Sequence, residues 1–346
     1  MLFEKQHRRG RECLPFPFDL AGIRRINYRE TMKCRFERRR IRFEFRNVEF
    51  IRLRTQFPRA MVFIPPLIGG NLAQQVRCFR KLAACGYDLA SFTYSGHGKS
   101  TGRFSLDVAL TDTVRVLDHV RRLCRIEGLP LSGIGSCAAA IPLLYAAAAR
   151  PQAFSGLVLI NAVTRIRLTS ILGSLLTYYR VIFRRNHRRY TLADVIRSYF
   201  EFMLPEVVRT QGAFGELAFR RIKPVRIFFE ILAWNPLRRL SLDQVPVLCL
   251  YGREDRILKL YEAGCESRYR ARITRLCPKV RFVPLEGDHF LSRPEVRFGA
   301  ISEMSAFLGD CSNSPAVNRK NHGKKHASKE VKMLRRWEQA LNCEFF

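Results

Sequence analysis

The sequence predicts an α/β protein with a mostly parallel central sheet, flanked by helices and carrying a helical cap insertion. Three observations predict this. Short, largely apolar runs at Ala60–Ile64, Leu89–Tyr94, Gly156–Ala162 and Val245–Tyr251 read as strands buried on both faces, the mark of a parallel sheet. Stretches with helical periodicity separate them, and this alternation implies right-handed strand–helix–strand units. From about Val163 to Asp243 no buried-strand signal occurs; aromatic, Arg-laden helical segments take its place.

The first 31 residues are basic and poorly patterned, and read as an N-terminal extension. Between Thr31 and Thr55 apolar and charged residues alternate, as in Arg40-Ile-Arg-Phe-Glu-Phe-Arg, which predicts antiparallel strands at a sheet edge. Ala60–Ile64 is the first buried strand and ends in Pro65-Pro-Leu-Ile-Gly-Gly, a turn that exposes backbone N–H groups. Gln74–Ala84 reads as an amphipathic helix stopped by Gly86. After the strand at Leu89–Tyr94 comes Ser95-Gly-His-Gly-Lys-Ser-Thr-Gly. A helix then starts near Ser105, with Val108, Val114, Leu117 and Val120 on one face.

Leu129–Ala149 reads as a short buried strand, a tight turn of small residues and an Ala/Leu-rich helix. A strand-to-helix turn this sharp needs small side chains and pushes one residue out at its apex, beside the first N–H groups of the helix. Ser136 is the first candidate for the apex. The frame Gly133-Ile-Gly135-Ser-Cys137 instead puts Gly135 there, and Cys137 is a third candidate. The sheet resumes at Val245–Tyr251, followed by Gly252-Arg-Glu-Asp255. A further strand at Val280–Pro284 leads into Glu286-Gly-Asp-His289, and a last helix covers about Val296–Leu308. The expected organisation is therefore a core of residues 32–163 and 244–310, a cap of residues 164–243, and a basic linker and tail from 311 to 346.

Ser136, Asp255 and His289 all follow strands, where an open parallel sheet gathers its functional residues. Their order along the chain, with Gly96-His-Gly-Lys-Ser, Gly252-Arg-Glu-Asp and Gly287-Asp-His-Phe, resembles the α/β-hydrolase superfamily. The resemblance implies that Ser136 is a nucleophile on an acyl carbonyl, that His289 relays its proton, and that Asp255 orients the imidazole. Backbone N–H groups of Leu67 and Cys137 would then hold the oxyanion. Ile134 departs from the small residue that the superfamily's elbow carries two places before a serine nucleophile.

Composition narrows the partners. With 346 residues, 47% of them hydrophobic, the chain can form one large domain plus an insertion, or two domains. Against 30 Asp+Glu stand 61 Lys+Arg, a formal net charge of +31, which suits an acidic acyl carrier protein or an anionic membrane surface, or else reflects a general preference for Arg. No zinc-finger, RNP or basic-heptad signature accompanies the charge, so no specific nucleic-acid partner is expected. The 11 Cys show neither CxxC nor a Cys/His ligand spacing, so no metal and no cofactor is expected. The N-terminus lacks the apolar stretch of a signal peptide, and no apolar run reaches the ~18 residues of a membrane span; both point to reduced thiols in the cytoplasm. Aromatics in the cap stretch, among them Tyr178, Phe183, Phe200 and Phe228, suit a hydrophobic acyl substrate. The expected function is hydrolysis of an acyl ester or thioester. Alternatives are acyl transfer or thioester cleavage on a carrier, and a catalytically silent protein of the same fold that binds a ligand.

Overall fold

The computed structural model describes residues 34–43, 46–67, 76, 78–165, 230, 234–255, 258, 266–289, 291 and 293–313. The N-terminal extension, the expected cap beyond Arg165 (apart from residues 230 and 234–243) and the tail beyond Asn313 lie outside the described residues, with the cap aromatics named above. So does the Gly69-Gly70 part of the first turn.

Among the described residues eight strands form a single sheet: β1 (Arg35–Phe43), β2 (Arg46–Arg54), β3 (Ala60–Phe63), β4 (Tyr87–Phe92), β5 (Leu131–Ser136), β6 (Gly156–Ile160), β7 (Val247–Gly252) and β8 (Val280–Leu285). Their order is β1-β2-β4-β3-β5-β6-β7-β8. Strands β1 and β2 pair antiparallel and β2 meets β4 antiparallel, as the alternating Arg/Phe/Ile pattern predicts. From β4 to β8 every pairing is parallel, so the strand ends that carry the site loops lie side by side.

Helices α1 (Arg80–Ala84), α2 (Leu106–Glu127), α3 (Ala140–Ala149), α4 (Glu266–Leu276) and α5 (Pro294–Asn313) cover the sheet. Side-chain alternation divides the core in two. Leu157 and Leu159 of β6 join α2, α3 and α4 on one face, while Val158 and Ile160 join α1 and α5 on the other. Each large apolar side chain so buried contributes about 1.5–3 kcal/mol. Helix α2 starts where the Ser105 side chain accepts a hydrogen bond from Val108 N at 3.1 Å, and it stops at Gly128 in a left-handed conformation, φ +70°.

Two expectations change. The buried face of α2 is Leu106, Ala109, Leu110, Thr113, Val116, Leu117, Val120 and Cys124, not the one through Val108 and Val114. Its inner face also takes in Asp112, whose carboxylate accepts Ser95 N at 2.8 Å, so a purely apolar search for the stripe selects the wrong valines. The last helix runs on to Asn313, and Cys311 packs against Gly156, where an added Cβ would lie 2.6 Å from Cys311 Sγ. A linker therefore does not begin at Cys311; composition alone hid the last turn because its exposed side is polar.

A buried ion network ties β2, β4 and the end of α2 together. Arg52, 2% exposed, donates Nε to Asp88 Oδ2 at 2.9 Å and Nη1 to Glu127 Oε1 at 2.6 Å. The other Asp88 oxygen accepts Thr55 N at 2.7 Å and Thr55 Oγ1 at 2.9 Å. Removing one member strands a buried charge, which costs about 3–5 kcal/mol. Arg52→Ala is expected to lower unfolding stability in urea by that amount, and Arg52→Met paired with Asp88→Asn by clearly less. Equal losses in the two variants would count against the network as the cause.

Candidate active site

The site grows from the contact between β5 and α3. A Cβ on Gly133 would sit 2.8 Å from Leu143 Cδ1 and from Leu157 Cδ2; one on Gly135 would sit 2.8 Å from Ala140 Cα. Only glycine lets the helix come this close to the strand it follows. The chain then has a single residue in which to reverse. Ser136 is still strand, with φ −107° and ψ 142°, and pairs in register with Ile160. Cys137 makes the turn at φ +50°, in the left-handed region, and opens a short 3₁₀ turn, Cys137–Ala139, that leads into α3. A non-glycine residue there costs roughly 1–2 kcal/mol and is a common feature of functional turns. Val163 N donates to Cys137 O at 3.0 Å and holds the apex from the β6 side.

The apex is thus Cys137, not Ser136 or Gly135. Read in this frame the elbow is Gly135-Ser-Cys137-Ala-Ala139, with a small residue two places to either side of the apex. Ile134 poses no difficulty: it is an ordinary, fully buried strand residue in the core on the α1/α5 face. The frame shift also moves the oxyanion donor expected at Cys137. The N–H that follows the apex belongs to Ala138, among the first of the turn, which lack an acceptor within it. On the opposite side, Pro65 and Pro66 have no N–H, and Ile64 N donates to Ala90 O at 2.8 Å. Leu67 is therefore the first residue after Ile64 in this turn that has an N–H to offer, and the Pro66 carbonyl before it is held by Tyr94 Oη at 3.0 Å.

Asp255 and His289 meet. Asp255, 1% exposed, lies just past β7; its Oδ1 accepts Leu258 N at 2.8 Å and its Oδ2 lies 2.7 Å from His289 Nδ1. The His289 ring also hydrogen-bonds the Cys137 side chain; with Nδ1 committed to Asp255, Nε2 is the nitrogen left for the sulfur. Burial opposes charge on this imidazole, but the Cys137 sulfur and the Asp255 carboxylate outweigh it, and its pKa is pushed up to about 10. The neighbouring Glu254 points elsewhere: it pairs with Arg293 at the surface, 2.9 Å away.

A residue that sequence reading missed joins the two loops. Asn161, the first residue after β6, is buried at φ +46°. Its Nδ2 donates to His289 O at 2.8 Å and to Asp288 O at 3.3 Å, while its Oδ1 accepts Gly252 N at 2.7 Å. The histidine loop and the acid loop are pinned by one amide. They also touch directly: a Cβ on Gly252 would lie 2.3 Å from Gly287 O. The available signal was an Asn directly after a buried strand, since Asn tolerates the left-handed region.

His97 is buried behind the strand ends, with its ring centroid 4.5 Å from that of Phe104. Burial pushes its pKa down to about 4, so it is neutral. Among the described residues no cluster of three His, Cys, Asp or Glu side chains could hold a metal ion, and no helix is long and apolar enough to cross a membrane.

Comparison with solved structures agrees with the fold. A soluble variant of monoglyceride lipase from Saccharomyces cerevisiae, in complex with a substrate analog, is 14% identical; the match covers 87% of this chain and 100% of that one, with a TM-score of 0.53. An arylesterase is 13% identical, with 81% of this chain and 86% of that chain covered and a TM-score of 0.52. An open-form lipase is 13% identical, covering 81% and 100%, with a TM-score of 0.51. No curated protein matches the chain in sequence. The family described as Serine aminopeptidase, S33, matches residues 57–266, more than half of the chain and a span that includes both the elbow and Asp255. With an eight-stranded, mostly parallel sheet and the elbow at the end of β5, the chain belongs to this family of α/β-hydrolases.

Proposed function

We propose that this protein is a hydrolase that cleaves an acyl ester or thioester through Cys137, with a thioacyl-enzyme intermediate. The observation that carries this reading is a cysteine at the left-handed apex of the elbow, sharing His289 with Asp255. Ser136, the nucleophile expected from the family resemblance, is strand backbone one residue short of the apex.

In the reading proposed here the nucleophile reacts as the thiolate form of Cys137, beside a His289 that keeps its proton through neutral pH. The Cys137 sulfur attacks the acyl carbonyl carbon. The carbonyl π electrons move to oxygen, and the N–H groups of Ala138 and Leu67 stabilise that oxyanion. As the oxyanion collapses, the bond to the leaving alkoxide or thiolate breaks, and His289 Nε2 supplies its proton. Neutral His289 then takes a proton from water, whose oxygen attacks the thioester carbon. Collapse releases the carboxylic acid and returns the pair to its starting state. Asp255 keeps the ring oriented and its charge favourable throughout. Support for a hydrophobic acyl group comes from the aromatic residues of the 164–243 stretch.

Cys137→Ala is expected to lower kcat/KM for a p-nitrophenyl acyl ester by about 10⁴-fold or more, with Ser136→Ala within about threefold of the parent. Intact-mass measurement after a brief substrate pulse is expected to show one acyl group that hydroxylamine removes. An active Cys137→Ala protein, or acylation at Ser136, would refute the proposal.

The pH profile follows from the sign of the His289 shift. Departure of an alkoxide needs the imidazolium, so kcat/KM for an alkyl ester, which reports the free enzyme, is expected to hold through neutral pH and fall as pH rises through about 10. Asn161 acts as a positioning residue. Asn161→Gly keeps the left-handed backbone accessible and deletes the amide; kcat is expected to fall about 10- to 100-fold with KM little changed. Faster hydrogen exchange at Gly252 N–H in that variant tests the same tie without substrate.

A further inference from the structure

On the outer flank of α2, away from the residues of the elbow, a groove of about 470 Å³ is lined by Phe43, Arg115, Asp118, Arg121, Arg122 and Arg125. Two elements build it. Strand β1 runs along α2 so that the Arg115 guanidinium lies 5.8 Å over the Phe43 ring. Further along, Arg39 of β1 and Arg122 of α2 both lie close enough to His119 to act on its charge. Arg39 stands opposite Phe50 across the β1–β2 pair, and the Phe50 ring meets the His119 ring edge-on at 5.2 Å, which fixes the strand beside this turn of the helix. Arg115, Arg122 and Arg125 are spaced seven and three residues apart, so they follow the groove for about 15 Å along the helix axis. Asp118, the acid of the lining, is already engaged: Arg150 Nη2 lies 2.7 Å from its Oδ2 and Arg121 Nη1 lies 3.7 Å from its Oδ1. The lining is thus strongly positive.

His119 registers that field. Burial and the charges of Arg122 and Arg39 push its pKa down to about 4, and among the described residues its Nε2 has no hydrogen-bond partner.

We infer that this groove is a docking site for an acidic polypeptide segment of a partner protein. Every cation of the lining is a guanidinium, whose planar fork fits a carboxylate with two parallel hydrogen bonds. The cations run ~15 Å along one helix face, the reach of about four to five extended residues, so a short acidic segment matches their row. Single-stranded nucleic acid would need aromatic platforms, and the one aromatic of the lining, Phe43, lies beneath Arg115. The sequence shows no acidic segment of its own to fill it, since its longest acidic run is the pair Glu254-Asp255, whose members are held by Arg293 and His289.

The test uses the full chain and fluorescent poly-L-glutamate at fixed ionic strength, with a single-stranded oligonucleotide and phosphatidylserine vesicles as rival probes. Arg122→Glu with Arg125→Glu is expected to weaken poly-L-glutamate binding at least tenfold, leaving ester cleavage and the circular dichroism spectrum unchanged. Arg238→Glu with Arg239→Glu, the same charge change at exposed arginines elsewhere, is expected to alter binding less than twofold. Occupancy of the groove is also expected to raise the His119 pKa measured by NMR. Should the charge-reversed variant fail to fold, Arg122→Gln with Arg125→Gln is expected to weaken binding at least threefold. Equal losses in the groove and control variants, tighter binding of the oligonucleotide or the vesicles through these arginines, or no binding of poly-L-glutamate would overturn the inference.

Discussion

The fit of α3 against β5 sets the terms for the rest of the molecule. Gly133 and Gly135 remove the side chains that would hold the helix off the strand, and that contact leaves room for only one residue to reverse the chain. The reversal forces Cys137 to φ +50° and lifts its sulfur clear of the sheet. Strain of ~1–2 kcal/mol at that residue is small beside the burial of α3, in which Ala140, Ile141, Leu143, Leu144, Ala146 and Ala147 all lie in the core. Once the apex is fixed, parallel pairing carries the geometry sideways: β6 presents Asn161, β7 presents Asp255, and the loop after β8 returns His289 to both.

Much of this was legible in the chain because parallel strands announce themselves as short apolar runs and the loops that follow them carry the chemistry. The Gly252-Arg-Glu-Asp255 and Gly287-Asp-His289 segments stand out by their residues, their order and their resemblance to α/β-hydrolase loops, and they meet at 2.7 Å. The apex was harder. A serine draws attention in such a turn, yet which residue reverses is decided by the packing distance between helix and strand, and a string of letters does not contain that distance. What it did contain was a frame with Gly135 and Ala139 placed evenly about Cys137. The inner face of α2 escapes an apolar search for a related reason. Asp112 and Thr113 are buried, with Ser95 N donating to one Asp112 oxygen and the Thr113 hydroxyl donating to the Ala109 carbonyl, so polarity there does not mark the solvent side.

A cysteine in a family named for its serine changes the electrostatics of the turn. A serine hydroxyl keeps its proton until substrate arrives, so its histidine rests neutral. Here the imidazole is favoured as a cation by the sulfur on one side and the carboxylate on the other, despite its burial. The Cys137, His289 and Asp255 side chains are already in hydrogen-bond contact before any substrate binds. The buried Arg52–Asp88–Glu127 network is a second fixed charge arrangement, and it secures the antiparallel end of the same sheet.

Asn161 gives the architecture a modular property. Because one carboxamide grips Gly252 on one side and the carbonyls of Asp288 and His289 on the other, the acid and histidine loops are tied into one unit and are not two independent arms. A loop exchanged singly into this scaffold would arrive without its counterpart's grip. The transplantable cassette consists of three segments distant in sequence, joined at the end of β6, and the scaffold's capacity to accept new loops is set by that junction.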